Sequence, residues 1–342
     1  MTHATSEPDR KVATWLLICC GLVFAMVVLG GVTRLTGSGL SIVEWKPVTG
    51  ILPPLSAEAW DEAFEDYRQS PEYTKVNAHM DVHDFKNIFW LEYLHRLLGR
   101  TIGIVFLLPF VFFVWKGYIR KAELPKYSLM FVLGGLQGVL GWYMVKSGLV
   151  DNPHVSQYRL VAHLVAAFVI YAFMFWVALS LLYPAIDSRE RHPWFRRTVA
   201  LTAAIAVTIV SGGFVAGLKA GKIYNTFPMM GDHWMPPGML ALEPLWRNFF
   251  ENLATVQFDH RWLAIATFLA IVVYWAAARG STLPSRVRKA TNALLHTAIL
   301  QVALGISTLL LFVPTLLAAS HQAVAMLLFT VALYLCHALR RS

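Results

Sequence analysis

The stretch EYLHRLLGR, residues 92–100, places a carboxylate, an imidazole and two guanidinium groups at the start of an apolar run long enough to cross a bilayer. Ionisable side chains inside a membrane are costly, so they usually mark a functional site. Glu92 lies one helical turn before His95 on the same helix face, where a carboxylate could act as a base or stabilise positive charge. The structural alternative is an interfacial ion pair between Glu92 and Arg96, with Arg100 extending to the headgroups.

The composition is that of an integral membrane protein. Hydrophobic residues make up 57% of the chain and charged residues 14%, whereas soluble globular proteins carry about 25% charged residues. The apolar residues occur in blocks of about twenty, the length of a helix that crosses the hydrocarbon core. We predict an all-α integral membrane protein with eight transmembrane helices, near residues 14–33, 88–114, 126–146, 159–182, 198–217, 252–277, 291–312 and 318–338.

Basic residues predict the orientation of these helices. Of the 29 lysines and arginines, 16 lie at the two termini and around the second, fourth and sixth connections between spans. By the positive-inside rule, those connections and both termini are cytoplasmic. The net charge of +9 is spread over several connections, which indicates topology and not a nucleic-acid-binding surface. We see no cleavable leader, and the expected location is a bacterial inner membrane, with the mitochondrial inner membrane as the alternative.

The sequence contains an internal repeat. GGVTRLTGSG in the first span resembles GGFVAGLKAG in the fifth, and YLHRLLG in the second resembles FDHRWLA in the sixth. LQGVLG in the third span returns as LQVALG in the seventh, and His163 corresponds to His321; the offsets are 182, 165, 164 and 158 residues. We predict two pseudo-symmetric four-helix bundles, residues 1–182 and 198–342, joined by a cytoplasmic linker of residues 183–197 and related by an axis along the membrane normal.

The repeat selects four of the twelve histidines: His95, His163, His260 and His321. Each lies near the start of an even-numbered span, so all four are predicted at similar depth on the outer side. Each half then offers two imidazoles from two helices, the arrangement that holds a flat haem by axial ligation on both faces. Zinc is the competing metal, but a zinc site needs three or four converging ligands and each half repeats only two. For a single histidine, the alternative is a hydrogen bond between helices; four in register favour haem.

The two halves differ in one residue that could do chemistry. Glu92 precedes His95 by three residues, whereas Gln257 precedes His260 by three. An ionisable carboxylate therefore shares the face of the histidine in the N-terminal half alone, and Gln257 indicates that an amide fits this position. We predict a reactive haem pocket in the N-terminal half and a cofactor or electron-relay pocket in the C-terminal half.

Haems near the outer surface need cations beside their propionates. The basic residues at suitable depth are Arg34, Arg96, Arg100, Lys219 and Arg261. For each of them the alternative is simple extension to the membrane interface.

These motifs resemble the haem A synthase family. The resemblance covers nearly the whole chain, and its most specific parts are GGVTRLTGSGLS, EYLHR, NPHVSQYRLVAHL, NTFPMM and FDHR. It implies that haem O is the substrate and that its C8 methyl group becomes a formyl group by two hydroxylations, with oxygen from water and loss of one water. It also implies that His95 and His163 flank the substrate iron, that Glu92 is the essential carboxylate, and that His260 and His321 ligate the iron of a permanent haem B.

The same resemblance suggests partners. Haem O and membrane lipids would bind the chain, and haem O synthase, an electron acceptor and a second copy of the chain are candidate partners; nucleic acid is not. Many bacterial members carry a cysteine pair in the first outer loop, whereas Cys19, Cys20 and Cys336 all lie in predicted spans. This places the chain nearer the proteobacterial and mitochondrial branch.

Two other classes of membrane protein compete with an enzyme. A di-haem cytochrome b-type electron-transfer subunit usually has haems on both sides of the membrane, whereas all four histidines here are predicted on one side. A transporter should show broken helices and ionisable residues near the midplane, and neither is evident.

The outer loops contain amphipathic segments. In SAEAWDEAFEDYRQS, Trp60, Phe64 and Tyr67 share one helix face after an N-cap at Ser56, which predicts a helix lying on the membrane. In the second half, PPGMLALEPLWRNFFEN supplies aromatic residues in a similar way. Both segments are candidate lids over a haem.

Overall fold

The computed structural model describes residues 6–44, 51–149, 153, 155–184 and 192–340. In this part of the chain there is no β-strand, and eight helices are long and apolar enough to cross a membrane. The prediction of eight spans in a multi-pass membrane protein is confirmed within these residues. The helices are α1 (Glu7–Leu35), α2 (Ala57–Arg68), α3 (Val82–Trp115), α4 (Leu124–Gly148), α5 (Gln157–Leu182), α6 (Phe195–Leu218), α7 (Asn248–Glu251), α8 (Leu253–Arg279), α9 (Ser285–Leu310) and α10 (Thr315–Leu339), all spanning except α2 and α7.

Caps explain where several helices begin and end. The carboxylate of Asp81 accepts hydrogen bonds from two backbone N–H groups of the first turn of α3, at 2.8 and 2.9 Å. This cap stabilises a helix start by about 1 kcal/mol, and α3 therefore begins at Val82, ahead of the apolar run that starts at residue 88. Asn252 caps α8 in the same way. Lys219, in the left-handed conformation with φ of 56°, ends α6.

The four spanning helices of the C-terminal half form a closed bundle. α6 packs on α8, α8 on α9, α9 on α10, and α10 back on α6. The hydroxyl groups of Thr208 on α6 and Thr267 on α8 lie 2.8 Å apart, a polar contact of the kind that joins helices in a membrane. Fully buried apolar side chains from all four helices pack in this bundle: Ile205, Ile271, Leu294 and Met326.

The four spanning helices of the N-terminal half contact one another in the same chain order. Gly30 of α1 lies against His95 of α3, and α3 packs on α4. Gly141 of α4 lies against His163 of α5. The Sγ of Cys20 on α1 lies 3.9 Å from a backbone carbonyl oxygen of α5. The contacts thus follow the order of the C-terminal bundle.

Packing divides the chain into two compact units. One unit is Gly21–Ile170, and the other consists of the residues before and after that stretch. The division falls inside α1 and inside α5, so each of these helices contributes to both units. The predicted boundaries at residues 182 and 198 and the pseudo-two-fold relation of the halves stay predictions.

The segment before α3, which was predicted on the outer side, forms the predicted helix, α2, with Ser56 as its N-cap. Its aromatic face packs against protein: Tyr67 stacks on Phe85 with ring centroids 5.1 Å apart, and Trp60 meets Phe89 edge to face at 4.9 Å. The aromatic face is therefore buried against α3, and the placement of this helix on the membrane stays a prediction. The aromatic surface that buries this face belongs to the first turns of α3.

The outer segment of the second half has a different structure. It forms a 3₁₀ turn, Leu245–Arg247, and the single-turn helix α7. Trp246 and Phe249 are 56% and 46% exposed. The ring of Phe250 contacts that of Phe214 of α6, with ring centroids 5.2 Å apart. The segments before α3 and before α8 therefore differ in structure.

Candidate functional site

Each repeated histidine of the N-terminal half lies against a glycine of a neighbouring helix. A Cβ atom added to Gly30 would lie 3.2 Å from Nε2 of His95. One added to Gly141 would lie 3.0 Å from Cε1 of His163. A side-chain carbon rarely approaches so closely, so the missing Cβ atoms are what leave room for the two rings.

The C-terminal half repeats this arrangement. A Cβ atom on Gly212 would lie 3.0 Å from Cε1 of His260, and one on Gly305 would lie 2.8 Å from Cε1 of His321. Gly212 matches Gly30 in the sequence repeat, and Gly305 matches Gly141 in the paired segments LQGVLG and LQVALG. We call these four glycine–histidine contacts the glycine cradles.

Both imidazoles of the C-terminal half are held through Nδ1. Oγ of Ser211 lies 2.8 Å from Nδ1 of His260 and 2.8 Å from the carbonyl oxygen of Thr208. Nδ1 of His321 lies 3.1 Å from the carbonyl oxygen of Gln301, whose side-chain amide lies 3.3 Å from Nε2 of the same ring. A histidine that ligates a metal commonly gives its other N–H to such an acceptor, which fixes the ring orientation.

In the N-terminal half, the imidazole of His163 is held differently. Nδ1 of His163 is buried and has no hydrogen-bond partner among the described residues. Gln137, the repeat counterpart of Gln301, donates to the backbone carbonyl of His163 at 2.8 Å and not to the ring. The residue that matches Ser211 is Leu29, which has no hydroxyl group. The two halves thus offer similar histidine pairs under unequal restraint.

The carboxylate of Glu92 is 2% exposed and accepts four hydrogen bonds. Oε1 accepts from Nε (3.0 Å) and Nη2 (2.6 Å) of Arg96. Oε2 accepts from Oγ of Ser41 (2.7 Å) and the backbone N–H of Ile42 (2.9 Å). Arg96 also donates to the carbonyl oxygens of Ile42 and Glu44. The ion pair of the structural alternative exists, but it is buried, and it ties α3 to the segment that follows α1.

At the matching position of the C-terminal half, the side chain donates a hydrogen bond, whereas the side chain of Glu92 accepts them. Nε2 of Gln257 donates to the carbonyl oxygen of Tyr224 at 3.0 Å. Arg261 donates to three carbonyl oxygens of residues 224–229, at 2.8 to 3.2 Å. Gln257 therefore faces an acceptor, whereas Glu92 faces donors. The prediction that packing tolerates an amide at position 92 stays a prediction, but an amide there would face donors, unlike that of Gln257.

The five basic residues predicted near propionates occupy distinct places. Arg34 lies in the last turn of α1, and Arg100 lies one turn beyond Arg96 in α3. Lys219 is the C-cap of α6. The guanidinium groups of Arg96 and Arg261 bind the carbonyl oxygens described above. Contact of any of these residues with a propionate stays a prediction.

The donor sets of both halves fit a haem better than a bare metal ion. Within the described ranges, no three histidine, cysteine, aspartate or glutamate side chains are grouped to hold a metal ion, and all three cysteines are buried and free. A porphyrin provides the equatorial ligands itself and would need only one or two axial groups from the protein. Two histidines per half, each with its ring edge set against a glycine, meet that need.

Comparison with known proteins agrees with this interpretation. The sequence matches the COX15-CtaA family, described as cytochrome oxidase assembly protein, over residues 13–333. A haem A synthase of Nitrosospira multiformis is 55% identical over 337 residues, covering 97% of this chain and 94% of that protein. The haem A synthase COX15 of Arabidopsis thaliana is 48% identical over 348 residues (98% and 76% covered), and that of Mus musculus is 46% identical over 342 residues (97% and 83% covered). The electron-transfer alternative finds no support here, and the chain belongs to the haem A synthase family.

Proposed function

We propose that this chain converts haem O to haem A, with the substrate haem held between His95 and His163 and a permanent haem B between His260 and His321. Family membership supports the overall reaction. The assignment of the halves depends on one observation, namely that both rings of the C-terminal pair are held through Nδ1 whereas Nδ1 of His163 has no partner.

This difference in restraint suits the two roles. Removing an outer hydrogen bond from a ligating histidine typically weakens metal binding by about 10–100-fold. A cofactor that must stay bound benefits from that affinity. A substrate that must enter and a product that must leave are better served by a ring that is held less firmly, as that of His163 is.

Glu92 supplies the charge that distinguishes the reactive half. A carboxylate has about four lone-pair positions, and those of Glu92 already receive bonds from Arg96, Ser41 and Ile42. Oxidation of a methyl group with oxygen from water withdraws electrons from the substrate and releases protons. Of the two roles predicted for Glu92, electrostatic stabilisation of that electron-poor substrate agrees better with its full set of hydrogen bonds than proton uptake does.

The remaining parts of the proposal concern location and partners. The distribution of basic residues supports cytoplasmic termini and haem sites on the outer side of a bacterial inner membrane. Oxidation of haem O also requires an electron acceptor, and haem O synthase is the natural source of the substrate.

Haem analysis of the purified protein tests this function. We expect haem B alone when the cells make no haem O, and haem B together with haem O or haem A when they do. A pyridine haemochrome spectrum distinguishes the three haems. Binding of haem B by both histidine pairs, whatever haem is supplied, would instead favour the electron-transfer subunit.

A further inference from the structure

The hydroxyl group of Ser211 reveals which nitrogen of His260 carries the proton. Oγ of Ser211 lies 2.8 Å from the carbonyl oxygen of Thr208 and 2.8 Å from Nδ1 of His260. A hydroxyl group has one proton to donate, and a carbonyl oxygen can only accept. The proton of Ser211 therefore goes to Thr208, and Oγ accepts a hydrogen bond from Nδ1–H of His260. Nε2 of His260 is left with its lone pair.

His321 reaches the same tautomer by a different route. Its Nδ1 lies 3.1 Å from the backbone carbonyl oxygen of Gln301, which again can only accept. The side-chain amide of Gln301 lies 3.3 Å from Nε2 and can donate to its lone pair. Both histidines of the C-terminal pair thus carry the proton on Nδ1, which leaves Nε2 as the nitrogen that can ligate iron; in His321 a bound iron would take the place of the Gln301 amide.

The acceptors near the two rings differ in whether a substitution can remove them. A backbone carbonyl is present whatever residue stands at position 301, whereas Ser211 gives His260 a side-chain acceptor beside the backbone carbonyl of Thr208. The repeat offers no such side chain to His95, because Leu29 stands at the matching position. Ser211 is therefore a specific feature of the half that we assign to the permanent haem.

We propose that Ser211 is a positioning residue for that haem: it fixes the tautomer and orientation of His260, slows haem loss and lowers the reduction potential. This inference rests on the proposed placement of haem B between His260 and His321. A hydrogen bond from Nδ1–H makes the imidazole a stronger electron donor to a metal. Stronger donation favours the oxidised state, so the potential falls.

The test compares haem retention and reduction potential in Ser211 variants of the purified protein. In Ser211→Ala, transfer of haem B to apomyoglobin should become about tenfold faster, the low end of the effect of losing such a bond, and the reduction potential should rise. Ser211→Thr keeps the hydroxyl group and should resemble the parent protein. Ser211→Cys, with nearly the same volume and a weaker hydrogen bond, should fall between the two and guards against misfolding of the alanine variant.

Ser147→Ala is the matched control. Oγ of Ser147 also bonds the carbonyl oxygen three residues earlier, that of Met144, at 2.7 Å, but it lies in α4, outside the C-terminal half. This variant should leave the retention and potential of haem B unchanged.

Two failures can be told apart by measuring His260→Ala alongside. Loss of haem B in His260→Ala, together with unchanged retention and potential in Ser211→Ala and Ser211→Cys, would overturn the role of Ser211 and leave the proposed function intact. Retention of haem B in His260→Ala would overturn the placement of haem B, and this inference with it.

Discussion

The carboxylate of Glu92 forms a buried ion pair and also has a proposed role in the chemistry. Because its partners are all donors, an amide at this position must place its NH₂ group against either Arg96 or Ile42. Removing one partner of a buried ion pair costs about 3–5 kcal/mol. Any loss of activity at this position must therefore be compared with the loss of stability.

Glu92→Gln should reduce haem A formation by at least about a hundredfold, the scale of losing a positioned acid–base or charged group. Haem B content should remain, because the C-terminal histidines are untouched. The midpoint temperature of thermal unfolding should fall as the ion pair with Arg96 is lost. Chromatography of haems O and A from cells that carry the variant measures the conversion.

Arg96→Gln is the control, since it breaks the same ion pair and keeps the carboxylate. If its haem A formation, at an equal loss of stability, falls as far as that of Glu92→Gln, then Glu92 acts only by holding the outer segment. A clearly higher conversion in Arg96→Gln assigns the chemistry to the carboxylate.

His95 tests the assignment of the N-terminal half. His95→Ala should leave haem B bound while conversion of haem O stops or halts at an intermediate, because one of the two groups that flank the substrate iron is lost. His296→Ala is a suitable control: its Nδ1 lies 2.8 Å from the Asn292 carbonyl and it has no partner in the repeat. Loss of haem B with continued conversion in His95→Ala would mean that the two halves are reversed.

At the residue scale, the sequence predicted the four histidines and Glu92 but not what surrounds them. The repeat identifies residues that occur twice, and the histidines and their glycines do. Ser211 occurs once, and its contact with His260 joins two helices that are distant in the chain. The donors around Glu92 come from the segment after α1, whose path a helical pattern does not predict. Arg96 was predicted both as an ion-pair partner and beside propionates, and the structure shows the ion pair.

The glycine cradles link single residues to helix packing. In Gly305→Ala, the new methyl group would lie 2.8 Å from Cε1 of His321, so the ring must move away from its position against α9. We expect haem B content to fall severalfold, measured as haem per protein after purification.

Gly138→Ala in α4 is the control for the glycine cradles, because a Cβ atom there meets nothing within 4 Å. It should be neutral or stabilise the helix by about 0.5–1 kcal/mol, the usual difference between alanine and glycine. Equal haem loss in both variants would contradict a specific role for the cradle.

An amphipathic pattern predicts which face of a helix is buried, but not what buries it. For α2 the aromatic face was predicted correctly and its partner was not, since the partner depends on how far α3 extends beyond the membrane run. That extension depends on the cap at Asp81 and on Phe85 and Phe89.

Tyr67→Ala tests the packing of α2 on α3. Tyr67 is fully buried and stacks on Phe85, and truncation of a large buried aromatic residue typically costs about 3–5 kcal/mol. Limited proteolysis should cut residues 57–80 much faster in this variant. Trp246→Ala, at a 56% exposed position, should change proteolysis of this segment little. Equal cleavage of Tyr67→Ala and the parent protein would show that α2 is held by other contacts.

At the scale of the whole molecule, composition and apolar runs predicted the helices well because a bilayer imposes their length. They did not predict that the division into compact units falls inside α1 and α5. Hydropathy indicates where a helix crosses the membrane but not which neighbours it packs against along each part of its length. The repeat adds that information only near the matched residues, which lie toward the predicted outer ends.

The two halves should load haem independently. His260→Ala combined with His321→Ala should remove most of the haem B and leave the N-terminal histidines, Glu92 and their contacts in place, since all of those contacts lie within Gly21–Ile170. His95→Ala combined with His163→Ala should do the reverse and keep haem B. Haem B and haem O are measured per protein in each variant, with haem O supplied.

A low-spin haem B spectrum that survives in the first pair of substitutions and disappears in the second would mean that the two halves are reversed. Loss of both haems in either pair would show that the halves fold or load as one unit, which the separate donor sets of the two halves argue against.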